Sequence, residues 1–255
     1  MEDVEAEVRE QIRCNPDYIT ISGSGEPTLY SRLGELLERI RSVTTIPIAV
    51  LTNGSLLWRD DVREELMAAS VVIPSLDAGN EEMFAKVNRP HQDLSFERVL
   101  QGLIDFQRIF RGDLWLEALL VKGFTASRRE VEDLARCATR IRPDRVQLNT
   151  VTRPPAEPYA VAVPPAELRE FAELFSPVAE VIGDVAESHA KRKCSSTTEE
   201  VLSLIERRPC TLQDVADGLG IHVLEAVKHI EILNAEARVK SKSAGSKMYF
   251  VASDR

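Results

Sequence analysis

The residues in this sequence that can do chemistry gather in five short polar turns: Ser22-Gly23-Ser24-Gly25-Glu26-Pro27, Thr52-Asn53-Gly54, Ser75-Leu76-Asp77-Ala78, Lys122-Gly123 and Asn149-Thr150. Glu26 and Asp77 offer carboxylates suited to a base, a metal ligand or an acceptor for a ribose or an amine, and spacing alone leaves those roles open. Glu117 stands inside the apolar run Leu114–Val121, where an unpaired carboxylate is costly to bury. With Lys122 just after that run, it is a candidate for handling substrate, although Lys122 also reads simply as the cap of a strand. Cys14, Cys137, Cys194 and Cys210 are separated by 123, 57 and 16 residues, so no pair has the close spacing of a local zinc or iron–sulfur ligand set. His91 has no second histidine nearby and reads as a structural or surface residue, while His189, His222 and His229 lie outside the turns. A zinc site built from histidines is not supported.

Short apolar runs must place those turns. Tyr18–Ser22, Ile46–Leu51, Val71–Leu76, Leu114–Val121 and Arg145–Val151 are rich in branched residues and end in the polar segments, which predicts buried parallel strands. Val178–Val185 predicts one more. Helical spacing links them: Leu33, Leu36, Leu37 and Ile40; Val62, Leu66 and Met67; Phe96, Val99, Leu100, Leu103 and Phe106; and Val131, Leu134, Ala135 and Ala138, the last set opened by a Ser127/Glu130 capping box. Val4, Val8 and Ile12 mark an opening helix, and Pro165–Phe175 another with an N-terminal proline. Alternating β and α elements admit a doubly wound sheet or a barrel, and in both the ligand face lies at the strands' C-terminal ends.

Period-two alternation separates the faces. Thr20, Ser22 and Ser24, then Ser75 and Asp77, then Gln147 and Asn149, oppose Ile19 and Ile21, Val72 and Leu76, and Val146 and Leu148. Apolar faces turned toward outer helices leave the polar ones lining a central cavity. An interior filled only for stability would favour Val, Ile and Leu, so a polar ligand is expected.

At 255 residues and 28.5 kDa the chain suits one large and one small unit. Hydrophobic residues at 44% and charged residues at 29% exclude a disordered or fibrous chain. The net charge of −9 divides unevenly: residues 191–255 hold 11 Lys/Arg against 9 Asp/Glu, leaving 21 against 32 in residues 1–190. That acidity argues against nucleic acid binding over the whole surface. No apolar run approaches the roughly 20 residues needed to span a bilayer, and Glu2, Asp3, Glu5, Glu7 and Glu10 are unlike a signal or transit peptide, so a cytoplasmic protein is expected. The basic run Lys191-Arg192-Lys193 sets the expected boundary, with a domain at 1–190 and another at 191–255.

The small domain opens at Thr197 and Glu200 with Val201, Leu202, Leu204 and Ile205 as apolar positions. Thr211–Ile221 then reads as helix and turn, with Gly220 at the turn, and His222–Leu233 as a second helix. Arg238–Lys242 and Lys247–Val251 pair as a hairpin. Together these resemble a winged-helix (helix-turn-helix) domain. Lys240, Lys242 and Lys247 put positive charge on the wing for RNA or DNA phosphates, whereas Glu225, Lys228 and Glu231 on the second helix give little for base readout.

As an ordered set, Gly23-Ser24-Gly25-Glu26-Pro27-Thr28-Leu29, Leu51-Thr52-Asn53-Gly54, Pro74-Ser75-Leu76-Asp77-Ala78 and Gln147-Leu148-Asn149-Thr150 resemble the turns of radical S-adenosylmethionine (radical SAM) enzymes, the first matching their "GGE" turn. Lys86-Val87-Asn88-Arg89-Pro90-His91 is similar to the group that includes the wyosine-base synthases acting on tRNA. The resemblance covers about residues 15–160. It implies an open, partial (β/α) barrel of parallel strands. It also implies that the methionyl amine of S-adenosylmethionine meets Ser24, Gly25 and Glu26, its ribose Asn53, Ser75 and Asp77, and its adenine Gln147 and Asn149. A [4Fe–4S] cluster, an electron donor such as flavodoxin or ferredoxin, and reductive cleavage to a 5′-deoxyadenosyl radical belong to the same implication. The sequence departs from the family at the cluster: it has no C-x3-C-x2-C, and Cys14 stands alone on the opening helix. The expectation is a chain lacking its first strand and cluster loop, with no metal ligands and no activity as written. Two alternatives stand beside it. One is a cluster-free sensor of S-adenosylmethionine or a nucleoside controlling the winged helix, and the other a metal-dependent hydrolase or lyase using Glu26, Asp77 and Glu117.

Overall fold

Apolar runs become six strands in the larger unit: β1 (Ile19–Ile21), β2 (Ile48–Thr52), β3 (Val71–Pro74), β4 (Asp113–Leu120), β5 (Arg145–Thr150) and β6 (Glu180–Val181). The computed structural model describes residues 2–12, 16–23, 25–152, 155, 157, 159–182, 197–244 and 247–253. The chain divides into two units, Met1–Val151 with Glu157–Val185, and Thr152–Ala156 with Ala186–Arg255. The boundary expected at 190/191 lies outside the described residues, as do Ser24, Cys14, Cys194 and most of the proline-rich bend at 153–158.

In the larger unit every strand pairs in parallel with the next in sequence, in the order β1-β2-β3-β4-β5-β6. A doubly wound sheet needs a reversal in strand order, and none occurs here. Crossovers of one hand then send the connecting helices to one face. The connecting helices are α2 (Leu33–Val43), α3 (Asp60–Glu65), α4 (Glu81–Val87), α5 (Phe96–Ile109), α6 (Arg128–Ile141) and α7 (Pro165–Ala172), and α1 (Glu2–Gln11) precedes β1. No pairing joins β1 to β6 among the described residues, so the sheet is an open, partial barrel.

Alternation is cleanest in β4, where Leu114, Leu116, Ala118 and Leu120 are buried while Trp115, Glu117 and Leu119 are not. The buried set packs with Val99, Leu100, Leu103 and Phe106 of α5 and Val131, Leu134 and Ala138 of α6. Each fully buried aliphatic contributes about 1.5–3 kcal/mol. α3 ends before the spacing predicts, because Leu66 turns its N–H back to the Arg63 carbonyl and drops its side chain into the core. α6 carries half of the expected capping box. Ser127 accepts from the Glu130 N–H, but the Glu130 carboxylate is taken by the Asn80 amide (2.9 Å), which also donates to Asp133. Of Val178–Val185, only Glu180 and Val181 pair as a strand, and residues 183–185 lie outside the described set.

The smaller unit holds α8 (Thr198–Arg207), α9 (Leu212–Gly218), α10 (Val223–Ala235) and an antiparallel hairpin of β7 (Val239–Ala244) and β8 (Lys247–Ala252). Complete capping boxes start α8 (Thr197 with Glu200) and α9 (Thr211 with Asp214). Gly220, at φ 63°, turns the chain into α10. Val201, Ile205, Val215, Ile230 and Leu233 form its core. No helix among the described residues is long and apolar enough to cross a membrane.

Candidate functional site

Residues at the C-terminal ends of β1–β4 surround an open cavity of about 320 Å³. Ser22, Gly23, Gly25, Glu26, Pro27, Leu51, Thr52, Asn53, Ser75 and Glu117 line it. Glu26 organises one side. Its Oε1 accepts from the Thr28 N–H (3.1 Å), the Thr28 hydroxyl (2.7 Å) and the Thr52 hydroxyl (2.5 Å), and its Oε2 accepts from the Asn53 N–H (2.7 Å). One carboxylate thus starts the 3-10 turn at Pro27–Leu29 and ties the end of β1 to the end of β2. Thr52 in turn accepts from the Gly54 N–H (3.1 Å), and Asn53 Oδ1 from the Ser55 N–H (2.9 Å), so the turn after β2 is fixed from both sides.

On the far side, Glu117 accepts from the Asn149 amide (2.7 Å), which answers the cost of a carboxylate inside an apolar strand. Asp77 is half-buried and does not line the cavity. Its Oδ1 accepts from the Leu119 N–H (2.9 Å) and its Oδ2 from the Asn88 amide (3.2 Å). Burial raises the Asp77 carboxyl above its ordinary value, and the Glu117 charge adds to this. The bonds from Leu119 and Asn88 act the other way.

Of the residues expected from sequence, Gly25, Glu26, Asn53, Ser75 and Glu117 meet at this cavity. Asn149 touches it through Glu117, while Gln147 is half-buried on β5 outside the lining. Lys122 is exposed past the end of β4, its N–H donating to the Val161 carbonyl (2.9 Å). Ser24 lies outside the described residues. Thr52, which the sequence offers only as part of a turn, also lines the cavity, and the hydroxyl at the last position of its strand is the signal for it. His91 is exposed beside Asp93, in keeping with a surface role. Glu26, Asp77 and Glu117 are each committed to neighbouring strands, and no three His, Cys, Asp or Glu among the described residues gather as a metal site.

Two observations define what the cavity accepts. Its described lining has two carboxylates and no Lys or Arg, so it suits a cation. A Cβ built at Gly25 meets nothing within 4 Å, and Gly25 does not have the positive φ that would call for glycine. Neither packing nor backbone conformation demands glycine there, and its bare edge leaves a cradle beside Glu26. S-Adenosylmethionine, with its ammonium and sulfonium charges, fits both features. An iron–sulfur cluster does not fit the described residues: Cys137 and Cys210 are each buried, in separate units, and burial pushes the Cys137 thiol up to about 11.

Known proteins bear on this geometry. A "GTPase Obg" from Brachyspira hyodysenteriae is 38% identical over 205 residues, 79% of this chain and 30% of that protein. A UPF0026 protein from Helicobacter pylori J99 is 30% identical over 237 residues, 92% of this chain and 75% of that protein. The S-adenosyl-L-methionine-dependent tRNA 4-demethylwyosine synthase of Pyrococcus horikoshii is 32% identical over 113 residues, 43% of this chain and 32% of that protein. The chain therefore spans from under a third to three quarters of these relatives' lengths. Among solved structures, a domain of a pyruvate-formate lyase-activating enzyme from Bacteroides vulgatus superposes with a TM-score of 0.52 at 19% identity, covering 65% of this chain and 98% of that one, and so shares the fold. The Radical SAM superfamily model matches residues 1–138, the stretch holding the Glu26 turn, the Thr52-Asn53-Gly54 turn and Glu117, and the chain belongs to that superfamily.

Proposed function

We propose that this chain binds S-adenosylmethionine in the strand-end cavity and that it serves the modification of a tRNA base. The acidic cavity, with no described Lys or Arg in its lining, is the observation that carries the reading. Glu26 Oε2 and the Gly25 edge would receive the ammonium end, Asn53 and Ser75 the ribose hydroxyls, and Glu117 would face the sulfonium. In the superfamily, S-adenosylmethionine would supply radical chemistry on receiving one electron from a reduced iron–sulfur cluster, and the residues described here would bind and orient it. The Glu26 bonds to Thr28, Thr52 and Asn53 keep the receiving carboxylate in place before the ligand arrives. Similarity to the Pyrococcus synthase supports the tRNA reading. Calorimetry of the 255-residue chain tests the cofactor site: S-adenosylmethionine should bind more tightly than S-adenosylhomocysteine, which lacks the sulfonium charge. Equal affinities, or no binding, would overturn the assignment.

The smaller unit supports a winged-helix reading, because its three helices and hairpin follow the expected order and Cys210 bridges to Phe250 beside the hairpin. A cluster-free sensor is the second reading, and the arrangement of α9 and α10 favours it. Binding of DNA that depends on S-adenosylmethionine would establish the sensor over the enzyme.

A further inference from the structure

Beyond the cavity, the segments past the ends of β3, β4 and β5 carry cations and an exposed ring. Arg89 has φ 45° although it is not glycine and precedes Pro90, a conformation that costs of order 1–3 kcal/mol. Strain of that kind persists only where surroundings hold it. Here Arg89 donates to Glu157 (3.1 Å) and to the Tyr159 hydroxyl (2.6 Å), while its neighbour Asn88 reaches Asp77 at the end of β3. The Tyr159 ring packs on Phe124 with centroids 4.8 Å apart and still leaves Tyr159 44% exposed. Phe124 sits on a fixed turn. Buried Thr125 accepts from the Val121 N–H (2.9 Å) and donates to the Leu119 carbonyl (3.2 Å), and the Lys122 N–H holds the Val161 carbonyl. Lys122 itself is exposed, and Val161 and Leu119 add apolar surface alongside.

The guanidinium of Arg89 has five donors, and the two bonds above leave three for an incoming anion. Residues 1–190 carry 21 Lys/Arg against 32 Asp/Glu, so a polyanion needs a local exception to approach this unit, and Arg89 with Lys122 against the single carboxylate of Glu157 provides one. A flat, exposed phenol beside these cations matches an unstacked base with its phosphate.

We propose that Arg89, Lys122 and Tyr159 seat one unstacked nucleotide of an RNA substrate, the base on the Tyr159 ring and the phosphate at Arg89 with Lys122 as second cation. The proposal rests on the tRNA reading above and names residues for it. Arg89 is then a binding residue whose strained backbone is held by Glu157 and Tyr159.

Fluorescence anisotropy of the full chain with a labelled RNA stem-loop tests it, with S-adenosylmethionine calorimetry and a thermal melt run on every variant. Tyr159→Ala should weaken RNA binding by about 5- to 100-fold, the range of one lost base–aromatic stack. Tyr159→Phe, which keeps the ring but loses the hydroxyl that holds Arg89, should weaken binding less than Tyr159→Ala, and Lys122→Ala should weaken binding and flatten its salt dependence. S-Adenosylmethionine affinity should hold throughout. Parent-like RNA affinity in Tyr159→Ala would overturn the nucleotide seat and leave the tRNA reading standing. If the parent chain binds no RNA, the tRNA reading falls and takes the seat with it.

Discussion

Replacing Glu26 separates two roles for its carboxylate, ligand contact and structural tie. In Glu26→Ala, four donors lose their acceptor: the N–H and hydroxyl of Thr28, the hydroxyl of Thr52 and the N–H of Asn53. Thr28 is 7% and Thr52 4% exposed, so their hydroxyls have little water to turn to, whereas Asn53 is exposed and recovers its bond from solvent. At about 1–3 kcal/mol for each of the two buried hydroxyls left unpaired, the loss is about 2–6 kcal/mol. Glu26→Gln keeps one oxygen for the threonines but turns an amide N–H₂ toward the Asn53 N–H or the threonines, at a cost of about 2 kcal/mol. For a unit of this size, about 2–4 °C per kcal/mol puts the alanine variant about 4–24 °C below the parent and the glutamine variant in between. The chain's two tryptophans, Trp58 and Trp115, both lie in the larger unit, so a fluorescence melt follows that unit alone. An alanine variant melting within about 1 °C of the parent would refute the tie and leave Glu26 as a ligand contact only.

Further expectations follow from the same geometry. Gly25→Ala should leave the melt unchanged and weaken S-adenosylmethionine at least about tenfold, because the new methyl meets no protein atom but fills the cradle. Gly79→Ala is the contrasting control: its Cβ would clash with the backbone of Asp133 and Leu134, so it should destabilise by about 1–3 kcal/mol in urea unfolding. Asp77 has a raised carboxyl in the folded state, so the folded chain holds its proton more tightly than the unfolded chain. Its contribution to stability is therefore present below the ordinary carboxylate value and is lost as pH rises through the raised one. Urea unfolding of the parent minus Asp77→Asn across the acid range should show that fall, and a flat difference would contradict it. In the smaller unit, the β7–β8 register places Lys240, Lys242 and Lys247 on one face of a hairpin whose described residues include no acid. Changing all three to alanine should reduce the slope of log affinity for RNA against log salt by about 2, at roughly 0.7 per lost phosphate contact on a single strand. An unchanged slope would remove the wing from the interface.

Strand positions were legible because parallel strands covered by helices are nearly continuous apolar runs, and polar turns mark their ends. The faces followed from period two. What periodicity cannot supply is the partner of a polar side chain. Asp77 finds Leu119 and Glu117 finds Asn149 through strand register, which depends on packing across the whole sheet. The family resemblance implies Asp77, Gln147 and Asn149 at the ligand; in the structure Asp77 accepts from Asn88 and Leu119, and neither it nor the two β5 residues are in the described lining of the cavity. Thr52 was read only as part of a motif, yet its hydroxyl joins the first two strand ends.

These ties answer a problem specific to an open barrel. The β3–β4 ladder pairs Val71 with Asp113 and Val72 with Leu114, then resumes only at Ser75 and Glu117, past Pro74, which has no N–H to donate. Where main-chain pairing thins, side chains continue it: Glu26 from β1 to β2, Asp77 from β3 to β4, and Glu117 with Asn149 from β4 to β5. Closing the sheet on itself would supply such restraint by pairing its edges, and this sheet leaves them unpaired among the described residues. Two of the three carboxylates also line the cavity, so under the proposed function rim stability and S-adenosylmethionine affinity share residues. A substitution at Glu26 or Glu117 must therefore move both quantities together. Gly25, which supports nothing in the protein, is the position where affinity can change while stability does not.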